Sequence, residues 1–339
     1  MSITILGAGS WGTALAKLLA EKGETVRLWA HEPQVVEGIN HFHHNPLFLS
    51  EHALPPAIRA TNDLREALAG TSVVVSVVPS RFVRSVWHHA APFLGKRSVV
   101  VSCTKGFEQK TFYLMTQVIA DCLPAHGARR VTCLSGPTFA HEVAAAQLTT
   151  AVVAGRDDAV VKKIQRLFRS PSFLVFTSRD PLGVQVGGAV KNVIAIAAGI
   201  GAGMGLGANA RAAIITRGLY EMLKVGLVLG ARPETFLGLS GIGDVVLTCT
   251  DVQSRNFMVG KTMGEGKSVD GALAGSTMIA EGIETAQSIA SFAQRKGLKL
   301  PIITAVRDVL IGRRTPREAL SHVTSLRLAQ ELQVFPRRA

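Results

Sequence analysis

The chain has 339 residues, more than one domain usually holds; with 47% hydrophobic and 18% charged it is no disordered or fibrous protein, and two domains with a large core are expected. Lysine and arginine number 37 and aspartate and glutamate 24, a net charge of +13 that suits an anionic ligand, a nucleic acid or an anionic membrane surface. The basic residues are scattered, however, with short clusters at Lys162-Lys163, Arg313-Arg314 and Arg337-Arg338 and no interleaved aromatics, so no nucleic-acid partner is expected.

Residues 3–12 read Ile-Thr-Ile-Leu-Gly-Ala-Gly-Ser-Trp-Gly, a short apolar strand running into G-x-G-x-x-G at Gly7, Gly9 and Gly12. A helix is predicted from Trp11 to about Lys22, and a second strand over 25–29. The glycines alone are a weak signal; strand, turn and helix in this order make the dinucleotide-binding arrangement. Gly7 permits the tight turn, Gly9 lets the backbone approach a pyrophosphate, and Gly12 lets helix and strand pack closely. The helix-start N–H groups and the helix dipole then hold the phosphates. The plain alternative is a Gly-rich turn that binds nothing. A ribose-binding acid normally ends the second strand, yet the chain reads Leu28-Trp29-Ala30-His31, with Glu32 one place late. An acid would repel a 2′-phosphate, whereas His31 beside Arg27 tolerates one. NADP is therefore allowed and NAD is not excluded, and His31 as an ordinary loop residue stands beside both.

Further strand-like runs fall at 72–78, 98–102, 131–134, 150–154 and 173–176, with helical patterns at 63–69, 81–93, 111–123 and 159–168. This alternation predicts a doubly wound α/β domain, a parallel sheet covered on both faces whose ligands bind beyond the carboxyl ends of the strands. Attention therefore falls on Pro79-Ser80, Thr104-Lys105-Gly106 and Ser135-Gly136-Pro137-Thr138. The apolar run 193–208 is broken by glycines and polar residues and reads as a buried helix rather than a membrane span. After Asp180-Pro181 no strand is predicted, and helices over 209–229, 276–296, 301–311 and from 316 make an all-helical second domain. The division is placed at 1–180 and 181–339, with catalysis expected between the two. No signal peptide is recognisable, so the chain reads as cytoplasmic.

Four residues or groups suggest chemistry. Lys105, just after a strand, is placed to meet a substrate oxygen or phosphate, though most loop lysines are simply exposed. Lys191 lies in Gly187-Gly188-Ala189-Val190-Lys191-Asn192-Val193, an apolar helix in which a lysine is costly unless paired or functional. Desolvation suits such an amine to proton transfer, and a snorkelling lysine is the plain alternative. Asp244, in Gly241-Ile242-Gly243-Asp244, is expected to hold a catalytic ammonium, to accept from a substrate hydroxyl, or only to cap the next helix. Ser254-Arg255-Asn256 offers bidentate capture of a phosphate, or a polar helix start. Cys103, Cys122, Cys133 and Cys249 have no metal-ligand spacing, His41, His43 and His44 read as a solvated loop, and no metal is predicted.

These segments, with Gly7-Ala8-Gly9-Ser10-Trp11-Gly12, Ser135-Gly136-Pro137-Thr138-Phe139-Ala140, Gly188-Ala189-Val190-Lys191-Asn192 and Glu281-Gly282, resemble in order and spacing the bacterial NAD(P)-dependent glycerol-3-phosphate dehydrogenases, over nearly the whole chain. The resemblance implies a Rossmann-type domain followed by a helical domain like the C-terminal one of 6-phosphogluconate dehydrogenase. It implies reversible reduction of dihydroxyacetone phosphate to sn-glycerol 3-phosphate, feeding phospholipid synthesis, by a cytoplasmic homodimer without stable membrane insertion. By this similarity Lys191 is the proton donor and acceptor. Lys105, Gly136, Thr138, Lys191, Asp244, Ser254, Arg255 and Asn256 match substrate contacts. Gly7, Gly9, Ser10, Trp11, Gly12, His31, Lys105, Ala140, Arg255, Ile279 and Glu281 match contacts to NAD or NADP. Thr138 stands where Ser is usual, Gln185 where Glu is, and Arg81 where His is. The rival readings are a β-hydroxyacid or 6-phosphogluconate-type dehydrogenase, a non-catalytic NAD(P)-sensing regulator and a membrane-surface protein.

Overall fold

Short runs rich in Val, Ile and Leu become strands, those in the middle of the sheet buried on both faces: β1 (Ser2–Leu6), β2 (Thr25–Trp29), β3 (Ile58–Thr61), β4 (Val73–Ser76), β5 (Val99–Ser102), β6 (Val131–Ser135), β7 (Thr149–Ala154) and β8 (Phe173–Ser178). The computed structural model describes residues 1–273 and 280–326. It places these strands in one sheet of order β3-β2-β1-β4-β5-β6-β7-β8, whose first six positions follow the Rossmann pattern and reverse direction between β1 and β4. All pairs are parallel except one: β7 runs antiparallel to β6, with Cys133 opposite Ala154. The expectation of a purely parallel sheet is thereby corrected.

The helices around this sheet are α1 (Ser10–Glu21), α2 (Pro33–Phe42), α3 (Leu64–Leu68), α4 (Val83–Ala90), α5 (Met115–Asp121), α6 (Ala125–Ala128), α7 (Ala140–Ala144) and α8 (Asp158–Phe168). Alternate residues of each strand feed two separate cores. Ile3, Ile5, Val73, Val75, Val99 and Val101 join α1 and α8 on one face. Leu6, Val74 and Val100 join Trp87 of α4 and Ile119 of α5 on the other. The unit comprises Met1–Glu108 and Tyr113–Gln185. The helix predicted over 111–123 starts only at Met115, because Phe112 adopts a φ of +59° and Phe107 bridges to Leu114. Gln109–Phe112 belong instead to the second unit, where the Phe112 ring lies 5.7 Å from that of Phe292 and under the Arg295 guanidinium.

The second unit, from Val186 onward, is helical as expected: α9 (Pro181–Gly203, beginning in the first unit), α10 (Ala208–Val228), α11 (Asp244–Thr250), α12 (Arg255–Gly264), α13 (Val269–Leu273), α14 (Glu281–Lys296), α15 (Pro301–Leu310) and α16 (Pro316–Ser325). The predicted helical start at 276–279 and the terminal arginines lie outside the described residues. By length and composition α9 is apolar enough to cross a membrane, and most of its apolar window is buried inside the protein. Its glycines serve packing. A Cβ on Gly199 would stand 2.0 Å from Phe257 O and one on Gly203 2.0 Å from Lys261 O, while Gly260 and Gly264 meet Ile196 O and Ile200 O in return. Four glycines at i, i+4 spacing thus bring α9 and α12 into backbone contact. Gly199→Ala is expected to lower stability by ~2 kcal/mol or more, read as a fall in the denaturation midpoint, since no flexible side chain can yield to the added methyl.

Glu221 of α10 is almost fully buried, and its two carboxyl oxygens accept from Ile302 N (2.8 Å) and Ile303 N (3.0 Å) at the start of α15. Burial pushes its carboxyl up to about 7, against the pull of those N–H donors and of Lys224 and Arg217. The native state therefore retains a proton that the unfolded chain releases from about pH 4.5. This contribution is complete below that value and declines, by ~3 kcal/mol in all, as the pH rises through about 7. Denaturant melts across that range should show the decline in the native chain and not in Glu221→Gln, which keeps no titrating group but leaves one N–H facing an amide NH2.

Candidate active site

The first group surrounds the glycine turn. Gly7 has a φ of +110°, and a Cβ there would lie 2.9 Å from Val77 C and O. A Cβ on Gly12 would lie 1.9 Å from Gly7 O, so the helix can start only where residue 12 lacks a side chain. Gly9 differs: among the described residues nothing stands within 4 Å of its would-be Cβ, and as the residue before α1 it adds no side-chain cap. The turn thus offers the start of a 12-residue helix to open space, a surface that fits a pyrophosphate. Ser10 and Trp11 occupy the first turn of α1, with Trp11 half-buried against the core. Asn45 steadies the turn by donating to Ala8 O (2.9 Å) and Thr13 Oγ1 (2.8 Å). His31 is exposed just after β2, as expected. Its proposed helper is committed elsewhere: the Arg27 guanidinium donates to Ala69 O, with Glu66 O and Ala67 O at 3.4 Å, closing the end of α3. A 2′-phosphate at His31 would not have Arg27 as its partner in this conformation.

The strand ends of the same unit assemble the second group. Thr104 Oγ1 donates to Val78 O (2.7 Å), linking the segments that follow β5 and β4. Lys105, half-buried, reaches from there to Gly136 O (3.3 Å), and Thr138 Oγ1 donates to the same carbonyl (3.3 Å). Gly136 has a φ of +147° and passes so near β7 that a Cβ would meet Ala151 Cα at 2.9 Å. Lys105, Gly136 and Thr138, distant in sequence, are brought together. Ala140 opens α7 directly beyond them. The hydroxyls of Ser102 and Ser135, buried at the carboxyl ends of β5 and β6, have no hydrogen-bond partner among the described residues. Orphaned polar groups at this edge of an α/β sheet are those a bound ligand would satisfy. Gln185 is explained by its contacts: its Oε1 accepts from Thr116 N (2.9 Å) while Nε2 donates to Thr116 Oγ1 (2.9 Å) and Pro181 O (2.7 Å), a pattern that needs an amide.

The helical unit holds the third group. Lys191 of α9 is buried, and its ammonium donates to Asp244 Oδ1 and to Thr248 Oγ1 (2.8 Å). Asp244 has no exposed surface, so the pair removes the cost of either charge alone. Of the alternatives for Asp244, the ammonium partner is realised. Thr248 escapes sequence reasoning. It sits one turn beyond Asp244 on α11, its hydroxyl donating to Asp244 O (2.6 Å) and turning its lone pairs to the lysine. The i, i+4 spacing of the two was the available signal. α9 comes this near because Gly187 has no side chain: a Cβ would be 2.1 Å from Ser240 O.

In the same unit Ser254 caps α12, accepting from Phe257 N (3.2 Å), so the helix-start reading holds for its hydroxyl. Asn256 Oδ1 accepts from Gly282 N (3.0 Å). A Cβ on Gly282 would stand 2.6 Å from that oxygen and 2.9 Å from Asn192 O, so α14 can approach only with glycine there. Arg255 keeps an exposed side chain, yet the protein crowded around it lowers its guanidinium from the ordinary value, with Glu281 pulling the other way. Glu281 is the first residue of α14. Ile279 lies outside the described residues.

A glycine turn shaped for a dinucleotide, with a buried lysine–aspartate pair on a helical unit, defines a nicotinamide-dependent dehydrogenase of the Rossmann-plus-helical class. The matches to known proteins narrow this. Residues 2–161 match the N-terminal domain of NAD-dependent glycerol-3-phosphate dehydrogenase and residues 180–321 its C-terminal domain, so the chain belongs to that family. It is 46% identical over 331 residues to a glycerol-3-phosphate dehydrogenase [NAD(P)+] of Nitratidesulfovibrio vulgaris, covering 98% of this chain and all of that one. Over 329 residues it is 47% identical to one of Geobacter sulfurreducens, covering 97% and 98%. The crystal structure of glycerol-3-phosphate dehydrogenase from Coxiella burnetii superposes with a TM-score of 0.91 at 36% identity, over 96% of this chain and 99% of that one.

Proposed function

We propose that Lys191 supplies and takes up the proton in the reaction of this chain, the reversible NAD(P)H-dependent reduction of dihydroxyacetone phosphate to sn-glycerol 3-phosphate. The observation that carries the assignment is the buried Lys191–Asp244 pair with its Thr248 contact, a fixed proton source on a largely apolar helix. When bound, the reduced nicotinamide supplies the hydride that the substrate's C2 accepts. Lys191 Nζ gives its proton to the oxygen left negative at C2, and in the reverse direction it takes up the proton of the C2 hydroxyl. Asp244 and Thr248 hold the ammonium in place, and Asp244 balances its charge. Lys105, with Gly136 and Thr138, meets the substrate on the Rossmann unit. Arg255 binds the phosphate, and Ser254 and Asn256 set the start of α12 that carries it. Gly7, Gly9, Ser10, Trp11 and Gly12 take the pyrophosphate, while His31, Lys105, Ala140, Arg255, Ile279 and Glu281 complete the dinucleotide site.

In this reading 1–180 is the dinucleotide-binding part and 181–339 the substrate and catalytic part of a cytoplasmic homodimer that neither inserts stably into a membrane nor binds nucleic acid. Loss of near-ultraviolet absorbance from NADH and from NADPH, followed separately with dihydroxyacetone phosphate, tests the reaction. Oxidation with this substrate and not with hydroxy-acid precursors is the expected result, and the faster cofactor identifies the preference left open at His31. No oxidation of either would overturn it.

A further inference from the structure

On the Rossmann unit, outside both groups of the candidate active site, three possible metal ligands from distant parts of the chain converge. His141 of α7 places Nδ1 2.8 Å from Glu51 Oε1 and 3.1 Å from His52 Nε2, while His52 Nε2 and Glu51 Oε1 are 3.7 Å apart. We propose that Glu51, His52 and His141 form a binding site for a divalent transition-metal cation of the zinc class.

The spacing carries the argument. A point about 1.9 Å from all three donor atoms exists in their plane, so a cation bonded at about 2.0–2.1 Å sits slightly above it, as in a tetrahedral site with its fourth position open. Without an ion the cluster is held through one shared ring nitrogen. The ring nitrogen Nδ1 of His141 has a single in-plane position, used either to donate to Glu51 or to accept from His52, and it approaches both. A cation between the three serves all of them. The two imidazole rings are tilted by 58° rather than stacked, with their centroids 4.9 Å apart. The donor set, two imidazoles and one carboxylate, is the borderline one that prefers zinc and its neighbours to magnesium or calcium.

Lys17 of α1 is itself paired with Glu21. Two of the three side chains are about half exposed, which gives a hydrated ion a direct path. A bound ion would tie α7 to the segment that Asn45 fastens to the glycine turn, so the site would brace the dinucleotide-binding unit.

The test uses Zn2+ alone, titrated into the full chain at neutral pH without cofactor and followed by calorimetry, with Co2+ absorption as a second reading. One Zn2+ per chain with micromolar affinity is expected, weakened at least about 10-fold in His141→Ala and in His52→Ala, whose melting profiles confirm that they remain folded. Co2+ should give a visible band from nitrogen and oxygen ligands that disappears in His141→Ala. Two results would overturn the site: no saturable binding tighter than about 100 µM, or equal binding by the native chain and both variants, which would place the ion elsewhere, for instance at the half-buried Cys122.

Discussion

Lys191→Ala is expected to lower kcat for dihydroxyacetone phosphate by about 1,000-fold or more, with reduced-cofactor binding intact. The same substitution removes the ammonium beside Asp244, which has no exposed surface, and should cost ~3–5 kcal/mol of stability, because a buried carboxylate without its countercharge is far more costly than the pair. These two effects can be separated. Lys191→Ala with Asp244→Asn removes the negative charge as well as the ammonium that balanced it, so the double variant should recover most of the lost stability and none of the lost turnover. Asp244→Asn alone should reduce kcat as well, since the amide oxygen can still accept from the Lys191 ammonium but no longer balances its charge. Steady-state rates and denaturant melts on the three variants decide the matter. If turnover returned together with stability in the double variant, Lys191 would be a structural lysine and the proton source would have to be sought elsewhere.

The parts of this molecule legible in the sequence are those fixed by local pattern. The strands with continuous Val and Ile runs are placed within a residue or two, because burial on both faces leaves the same signature wherever the strand sits, and α1, α8, α10 and α15 are placed as closely; α9 is not, since the run 193–208 marks only part of a helix that spans Pro181–Gly203, and α12 carries no such run. For the same reason the reversed direction of β7 was not legible: a strand buried on both faces carries no mark of its neighbour's direction. β3 was missed because Ile-Arg-Ala-Thr is short, half-polar and an edge strand, paired only with β2. α2 was hidden by an internal glycine, which is there because Gly38 lies against Pro46 and His44 O. At the candidate site, Lys191, Asp244 and the 254–256 segment were visible as polar residues in unsuitable surroundings. Their partners were not. Thr248 looks like any helical threonine, and Arg27 appeared free for a phosphate until the structure tied it to the end of α3. Glu51, His52 and His141 show the same limit: 89 residues separate the two histidines, and no spacing motif spans such a gap.

The second large effect concerns the phosphate. Arg255→Ala should raise KM for dihydroxyacetone phosphate by about 100-fold, the loss expected when a charge-assisted, potentially bidentate contact is removed. Arg255→Lys should recover only part of it, because an ammonium keeps the charge and loses the planar fork. The control is dihydroxyacetone, which offers the same carbonyl without the phosphate. If Arg255 grips the phosphate, kcat/KM for this poor substrate should barely change, and the native chain's preference for the phosphorylated one should shrink by nearly the full factor. The start of α12 should survive the substitution, since Ser254 caps it through Phe257 N and Asn256 fastens it to Gly282 N without help from the arginine. Should both substrates lose equally, Arg255 would be acting on the cofactor or on the reacting carbonyl, and the positive charge that selects the phosphate would fall to Lys105, the remaining cation of the proposed substrate contacts that is not committed to proton transfer.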